Sequence, residues 1–209
     1  MKALTLLMVC MAFGFFAFSQ ADHFKPSQKV VIGPGKAYES LVEYLKTEPS
    51  DVHIFIEEGT YTADEELWVS GTNIVIEGKG TVNLYCKTLY NNVMWVSSAS
   101  NIVLINLHMK HFVPGDPEDQ NCSGRVLAFD NAEKVSVINC DLNGCGLAGL
   151  HDNLGNSNIL IKDCYIHNNS LGAYTDIEGG IWLDETDDHP VFKFENNRME
   201  NNGPDRVPE

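Results

Sequence analysis

The chain is short of positive charge. Across 209 residues it carries 14 Lys and Arg against 29 Asp and Glu, a formal net charge of −15. Such a chain has no electrostatic reason to bind nucleic acid or an anionic membrane, so the ligands it suits are cations and neutral or basic molecules. It also lacks long hydrophobic runs. Beyond the first twenty residues no stretch is long and apolar enough to span a bilayer. No Cys and His spacing resembles a zinc site, and no metal ligand set is assigned. Cysteine is sparse and, after the opening segment, odd in number: Cys86, Cys122, Cys140, Cys145 and Cys164. An odd set speaks against a complete disulfide framework, and buried thiols are expected at Cys140 and Cys164.

The opening MKALTLLMVCMAFGFFAFSQ has one lysine, then an apolar run ending in small residues. That is the pattern of a secretory signal peptide over residues 1–19, with Ala17-Phe18-Ser19 as the cleavage site. An uncleaved membrane anchor is the alternative. The expectation is a secreted or periplasmic protein, free of the membrane after cleavage. Residues 20–36 read as a polar N-terminal extension, and residues 37–209 as one domain. Leu41, Val42, Tyr44 and Leu45 sit at helical spacing, which predicts a short amphipathic helix stopped at Pro49-Ser50.

From Ile54 the apolar period switches to two. IFIEEGTY, IVIEGKGTV, IVLINLHM, VSVINCDL, ILIKDCYI and FKFENNRM begin at Ile54, Ile74, Ile102, Val135, Ile159 and Phe192. Aligned on these residues, successive offsets are 20, 28, 33, 24 and 33. The clearest repeat lies in residues 135–169, where Cys140 matches Cys164 and Asn139 matches Asp163. A constant strand pattern with loops of unequal length fits the coils of a parallel solenoid. Asn106, Asn139, Asp163 and Asn196 fall at one corner position, where stacked amides can bond to one another in a buried ladder. Glu58 and Gly78 stand there in the first two coils.

Residues 38–80 (YESLVEYLKTEP, IFIEEGTY, NIVIEGKG) resemble the opening of pectin methylesterases and other members of the pectate-lyase-like superfamily. The INC and KDC units resemble the general right-handed parallel β-helix repeat. The resemblance covers about residues 30–203. It implies an all-β fold, a right-handed parallel β-helix of about six coils with a short N-terminal capping helix. It implies no activity, because that fold hosts lyases, hydrolases, esterases, adhesins and structural modules. The catalytic motifs of pectin methylesterases, polygalacturonases and pectate lyases are missing from this chain. No family catalytic residue is carried over.

A second set of short strands precedes the corner segments: ELWVS, VMWVS, VLAFD, LAGLH and GIWLD. Taking their apolar pairs as inward, Leu67 and Val69 through Ile181 and Leu183, leaves two outward columns. One is Trp68, Trp95, Ala128, Gly149 and Trp182. The other is Ser70, Ser97, Asp130, His151 and Asp184. Tryptophan faces suit sugar rings, and Ala128 with Gly149 would leave a trough between them. The reading is a polysaccharide groove with Trp68, Trp95 and Trp182 as substrate-binding residues. Asp130, His151 and Asp184 are the catalytic candidates. Two coils separate the carboxylates, roughly 9–10 Å at the strand spacing, near the upper end of the about 6.5–9.5 Å of an inverting glycosidase pair. A slip of one residue would put Asp152 in place of His151. The competing view is an outward Trp row covered by the insertion at residues 111–124, with the aspartates as turn formers.

Lys110 and His111 open that insertion and Arg125 closes it. Lys110 and Arg125 are added as substrate-binding candidates because basic residues serve as bases in β-helix lyases. No cofactor is expected, although Asp184, Glu185, Asp187 and Asp188 could hold Ca²⁺ through oxygen ligands. Asn121 and Asn168 head glycosylation-type triplets. After FKFENNRMENNG no capping element follows, so an end-to-end homodimer is one way to cover the last coil. Two function classes stay open. One is an exported polysaccharide lyase or glycoside hydrolase. The other is a non-catalytic glycan-binding or surface structural module.

Overall fold

The computed structural model describes residues 24–111, 122–144, 146–185 and 189–205. The signal peptide, most of the insertion, Asn121, Cys145, Asp187, Asp188 and the last four residues lie outside the described residues.

The chain winds in coils. The first turn is β1 (Gln28–Ile32), α1 (Leu41–Leu45), β2 (Val52–Ile56) and β3 (Gly59–Ala63). Next come β4 (Leu67–Gly78) and β5 (Val82–Cys86), then β6 (Met94–Ile105) and β7 (His108–His111), then β8 (Leu127–Ile138) and β9 (Asp141–Asn143). The fifth coil is β10 (Ala148–Asp152), β11 (Ser157–Lys162) and β12 (Tyr165–His167). The last is β13 (Gly172–Asp176), β14 (Ile181–Trp182), β15 (Phe192–Glu195) and β16 (Arg198–Glu200). Among the described residues every pairing between successive coils is parallel, and only β13 with β14 is antiparallel.

Three lanes run along the coils. The first holds residues 67–70, 94–97 and 127–130 with β10 and β13. The second holds β1, β2, the later halves of β4, β6 and β8, then β11 and β15. The third is β3, β5, β7, β9, β12 and β16. Parallel register stacks like on like. In the second lane Val52, Ile74, Ile102, Val135, Ile159 and Phe192 form one inward column. All six are buried. Each such side chain contributes about 1.5–3 kcal/mol on leaving water. Ile54 pairs with Ile76 rather than Ile74, so the first offset is 22 residues and not 20. The helix packs against β4 and sends Leu41, Tyr44 and Leu45 into the core. The N-terminal extension is also shorter than expected, since β1 forms the first strand of the second lane.

Corners need left-handed backbone. Asn106, Asn139, Asp163 and Asn196 have φ of 57°, 51°, 53° and 56°. Asn and Asp tolerate that region because their short polar side chains bond locally. The Asn139 amide donates to Asn106 Oδ1 at 2.7 Å, and the Asn196 amide donates to the Asp163 carboxylate. The ladder is therefore present, but on the outside: Asn139, Asp163 and Asn196 are exposed. Gly78 holds the same position where a Cβ would lie 2.2 Å from the Asn106 carbonyl oxygen. Just inside the corner, the thiols of Cys140 and Cys164 are buried and free, as is that of Cys86, and Cys122 is buried too. Burial pushes the Cys140 thiol well up.

The last coil is not bare in the first lane. β14 folds back on β13 and stacks the Trp182 ring on Tyr174 at 4.9 Å and 6°. His189, Phe192 and Phe194 complete an aromatic layer around Tyr174. This corrects the expectation of an uncapped end there. Among the described residues the second and third lanes end in β15 and β16, each paired on one side.

Phe129 is fully buried and meets Phe192 edge-on at 5.7 Å. Phe129→Ala is expected to lower the unfolding free energy by about 3–5 kcal/mol. Trp182→Ala, at the partly exposed cap, is expected to lower it by about 1–3 kcal/mol. Urea unfolding followed by far-ultraviolet circular dichroism measures both.

Candidate functional site

The first lane carries the outward residues of interest, and its register decides which of them meet. Trp68 pairs with Trp95, Trp95 with Ala128, Ala128 with His151, and His151 with Thr175. That column differs from the expected one in its last two members. His151 stands beside Ala128 and not beside Asp130. Gly149 does not face outward: a Cβ there would lie 2.3 Å from Ile166 Cγ2, in the core. The lane continues into β13, so GAYTD and not GIWLD follows LAGLHD. Trp182 lies on the antiparallel return strand and packs against the core. Ile181 and Leu183, expected inward, are 48% and 52% exposed.

The three catalytic candidates therefore do not form one row. Asp130 is half-buried, pairs in register with Ser97 and accepts hydrogen bonds from the Ser97 hydroxyl at 3.4 Å and the Asn131 amide at 3.3 Å. Asp184 lies beyond β14, exposed, and accepts from the Glu185 backbone N–H. Asp152 forms no part of an outward carboxylate row with them; it is buried and accepts from the Asn156 amide at 2.7 Å.

His151 is buried, only 6% exposed. Its Nδ1 lies 2.8 Å from the Thr175 hydroxyl and its Nε2 lies 3.2 Å from Asn153 Oδ1. Burial, and then the Arg125 guanidinium, lower its pKa to about 4; Asn153, Asp176 and Thr175 oppose the shift. The imidazole is neutral at pH 7.

Lys110 is separated from this group. It sits on β7 in the third lane, in register with Tyr85 and Asn143. Arg125 does belong to the first lane. It precedes β8, its backbone N–H donates to Asn92 Oδ1 at 3.3 Å, and burial lowers its pKa. Its buried Nε and the buried indole N–H of Trp95 have no acceptor among the described residues. Buried donors without partners are uncommon, and each needs an acceptor from water or ligand.

Ala128 is fully buried, so the lane is not an open trough at its centre. Its accessible part is the end near α1. Trp68 is 47% exposed, and its ring meets Trp95 at 4.7 Å with a 43° tilt. Beside it lies a cleft of about 470 Å³ bounded by α1, Glu65, Glu66, Ser70 and Asn91. Glu66 accepts from the Asn92 amide at 3.2 Å, and burial raises its pKa. The sequence reading found the two tryptophans but missed this cleft. The signal was present: Glu65 and Glu66 directly precede the strand that carries Trp68, and the helix ends twenty residues earlier. Among the described residues no group of three or more His, Cys, Asp or Glu side chains is arranged to hold a metal ion. Asp184 and Glu185, two members of the candidate Ca²⁺ set, are exposed. Glu185 accepts from the Asn197 backbone N–H.

A comparison with known families finds that the model described as right handed beta helix region matches residues 65–205. No curated protein matches the chain. No solved structure matches it either.

The depressed pKa of His151 gives a pH signature. Unfolded, the residue takes its proton near 6.5; folded, only near 4. Within that window the unfolded state binds more protons, so stability falls as pH is lowered through it and is unaffected by this residue above it. His151→Gln is expected to flatten the decline of unfolding free energy between pH 6.5 and 4. An unchanged slope in urea titrations across that range would show that His151 is not the group responsible.

Proposed function

The chain belongs to the right-handed β-helix family, and from that premise we propose that it is an exported glycan-binding protein whose ligand lies on the Trp68–Trp95 platform. One observation carries the reading. Two tryptophans from successive coils share an outward column, in contact, and the outer one is half open to solvent beside a polar cleft. A soluble chain has little reason to expose an indole pair of this kind unless a ligand covers it. Aromatic faces present a large, rigid surface to the apolar face of a sugar ring, and the carboxylate, amide and hydroxyl groups of Glu66, Asn91 and Ser70 supply partners for its hydroxyls. The signal-like first residues supply the argument for export.

Binding is favoured over a lyase or hydrolase. A glycosidase needs two carboxylates flanking the scissile bond at a fixed spacing. Asp130 lies within the parallel strand β8 and Asp184 beyond the antiparallel return strand β14, and His151 is buried beside Ala128, in register with neither.

Affinity electrophoresis through gels containing neutral, amino-sugar or uronate polysaccharides tests the reading. The native chain is expected to be retarded by at least one of them. Trp68→Ala is expected to weaken that binding by about 2 kcal/mol, the loss typical of an anchoring tryptophan. Release of reducing ends or of ultraviolet-absorbing unsaturated ends by the native chain would restore the enzyme reading. Retardation untouched by Trp68→Ala would remove the platform.

A further inference from the structure

The cleft beside Trp68 also carries information about the charge of its ligand. Glu48, Glu65 and Glu66 line it against one cation, Lys46, and the Lys46 ammonium is already engaged by Glu65. Glu66 is different. Its hydrogen bonds come from Asn92, a neutral partner, and no cation pairs with it among the described residues. A carboxylate accepts at up to about four lone-pair sites, so a large part of its capacity is unused. Desolvation already raises its pKa, and a cation placed beside it would offset that cost.

Most other cations among the described residues are already engaged. Lys36, Lys79, Lys87, Lys134, Lys162 and Arg198 each lie within ion-pair distance of a carboxylate. In the first lane the remaining cation is Arg125, half-buried and preceding β8, the lane's third strand. A uronate polymer laid on the platform would bring its carboxylates against Glu65 and Glu66 in a partly desolvated cleft. Like charges so placed repel and act as a filter against that ligand. A ring with a protonated amino group meets the opposite situation, an aromatic face below it and an unneutralised carboxylate at its edge.

We propose that the glycan bound on the Trp68–Trp95 platform contains amino sugars, with a protonated amino group directed at Glu66. The proposal rests on the glycan-binding reading above and specifies its ligand class. Arg125, further along the lane, is a donor with no acceptor, which suits the hydroxyl or acetamido oxygens of a neighbouring ring.

The test is calorimetric titration of the full chain at physiological ionic strength with three oligosaccharides of equal length. They are a β-1,4-linked glucosamine oligomer, its fully N-acetylated form, and an oligogalacturonate. The glucosamine oligomer is expected to bind most tightly. Glu66→Gln is expected to weaken it roughly tenfold, the loss of one charge-assisted hydrogen bond, while leaving the weaker affinity for the N-acetylated oligomer unchanged. Trp68→Ala is expected to weaken both. An unaltered urea midpoint for Glu66→Gln shows that the fold is intact. Tighter, Trp68-dependent binding of the oligogalacturonate or of the N-acetylated oligomer overturns the amino-sugar assignment and leaves the platform standing. Glucosamine binding untouched by Glu66→Gln overturns it too, as mere attraction to an acidic chain. Absence of any Trp68-dependent binding overturns both readings.

Discussion

The parallel hydrogen-bond ladder between coils is the constraint on which the rest of this protein depends. It places each residue directly over its counterpart one coil earlier, at about 4.8 Å. A side chain that suits one coil must then suit the same place in the next. Inward, this produces columns such as Ile54, Ile76, Leu104, Val137, Ile161 and Phe194. At the corners it repeats the demand for a left-handed residue, which Asn meets at Asn73, Asn101 and Asn158 as well as at the other corner. The side chains then bond along the stack, as Asn101 does to Asn73 at 3.1 Å. One backbone requirement thus fixes both composition and a surface feature.

The same stacking makes the candidate site. A single outward tryptophan on a strand would be an isolated apolar spot. Two in one column, brought to 4.7 Å by the ladder, are a platform. Down that column the residue type changes from Trp to Ala to His to Thr, and the three members beyond the tryptophans are all buried. The lane is open at the helix end and closed in its middle. Its electrostatics also divide: carboxylates near Trp68, and the Arg125 guanidinium and a neutral imidazole further along.

Much of this was legible in the sequence, and the reasons for the failures are physical. The second lane alternates strictly, because its inward column is aliphatic and its outward residues are polar. Its register from Ile74 onward could be read directly, and so could the Asn corners. The first lane becomes unreadable at β10, where all five residues are buried on both faces. Alternation then carries no phase, so sequence alone sets His151 beside Asp130, whereas the register sets it beside Ala128. GAYTD was overlooked for a similar reason, since Gly172 and Ala173 are small and buried on a strand with no aliphatic pair. The repeat contained the correction. The offset of 24 residues that joins Cys140 to Cys164 also joins Leu150 to Tyr174 and His151 to Thr175. Between Ile159 and Phe192 the offset grows to 33, and the added residues are the hairpin that carries Trp182 over the core. A tryptophan at the expected spacing looked like a third platform member, because sequence cannot distinguish a returning strand from a continuing one.

The central claim is that the first lane, at its helix end, is the face that meets a glycan. Amide hydrogen exchange of the full chain with and without a saturating amino-sugar oligomer addresses it most directly. The account predicts slowed exchange in residues 64–70 and 91–97, with the third-lane strands β9, β12 and β16 unchanged. Protection confined to the third lane, or to β15 and β16 at the far end, would contradict it.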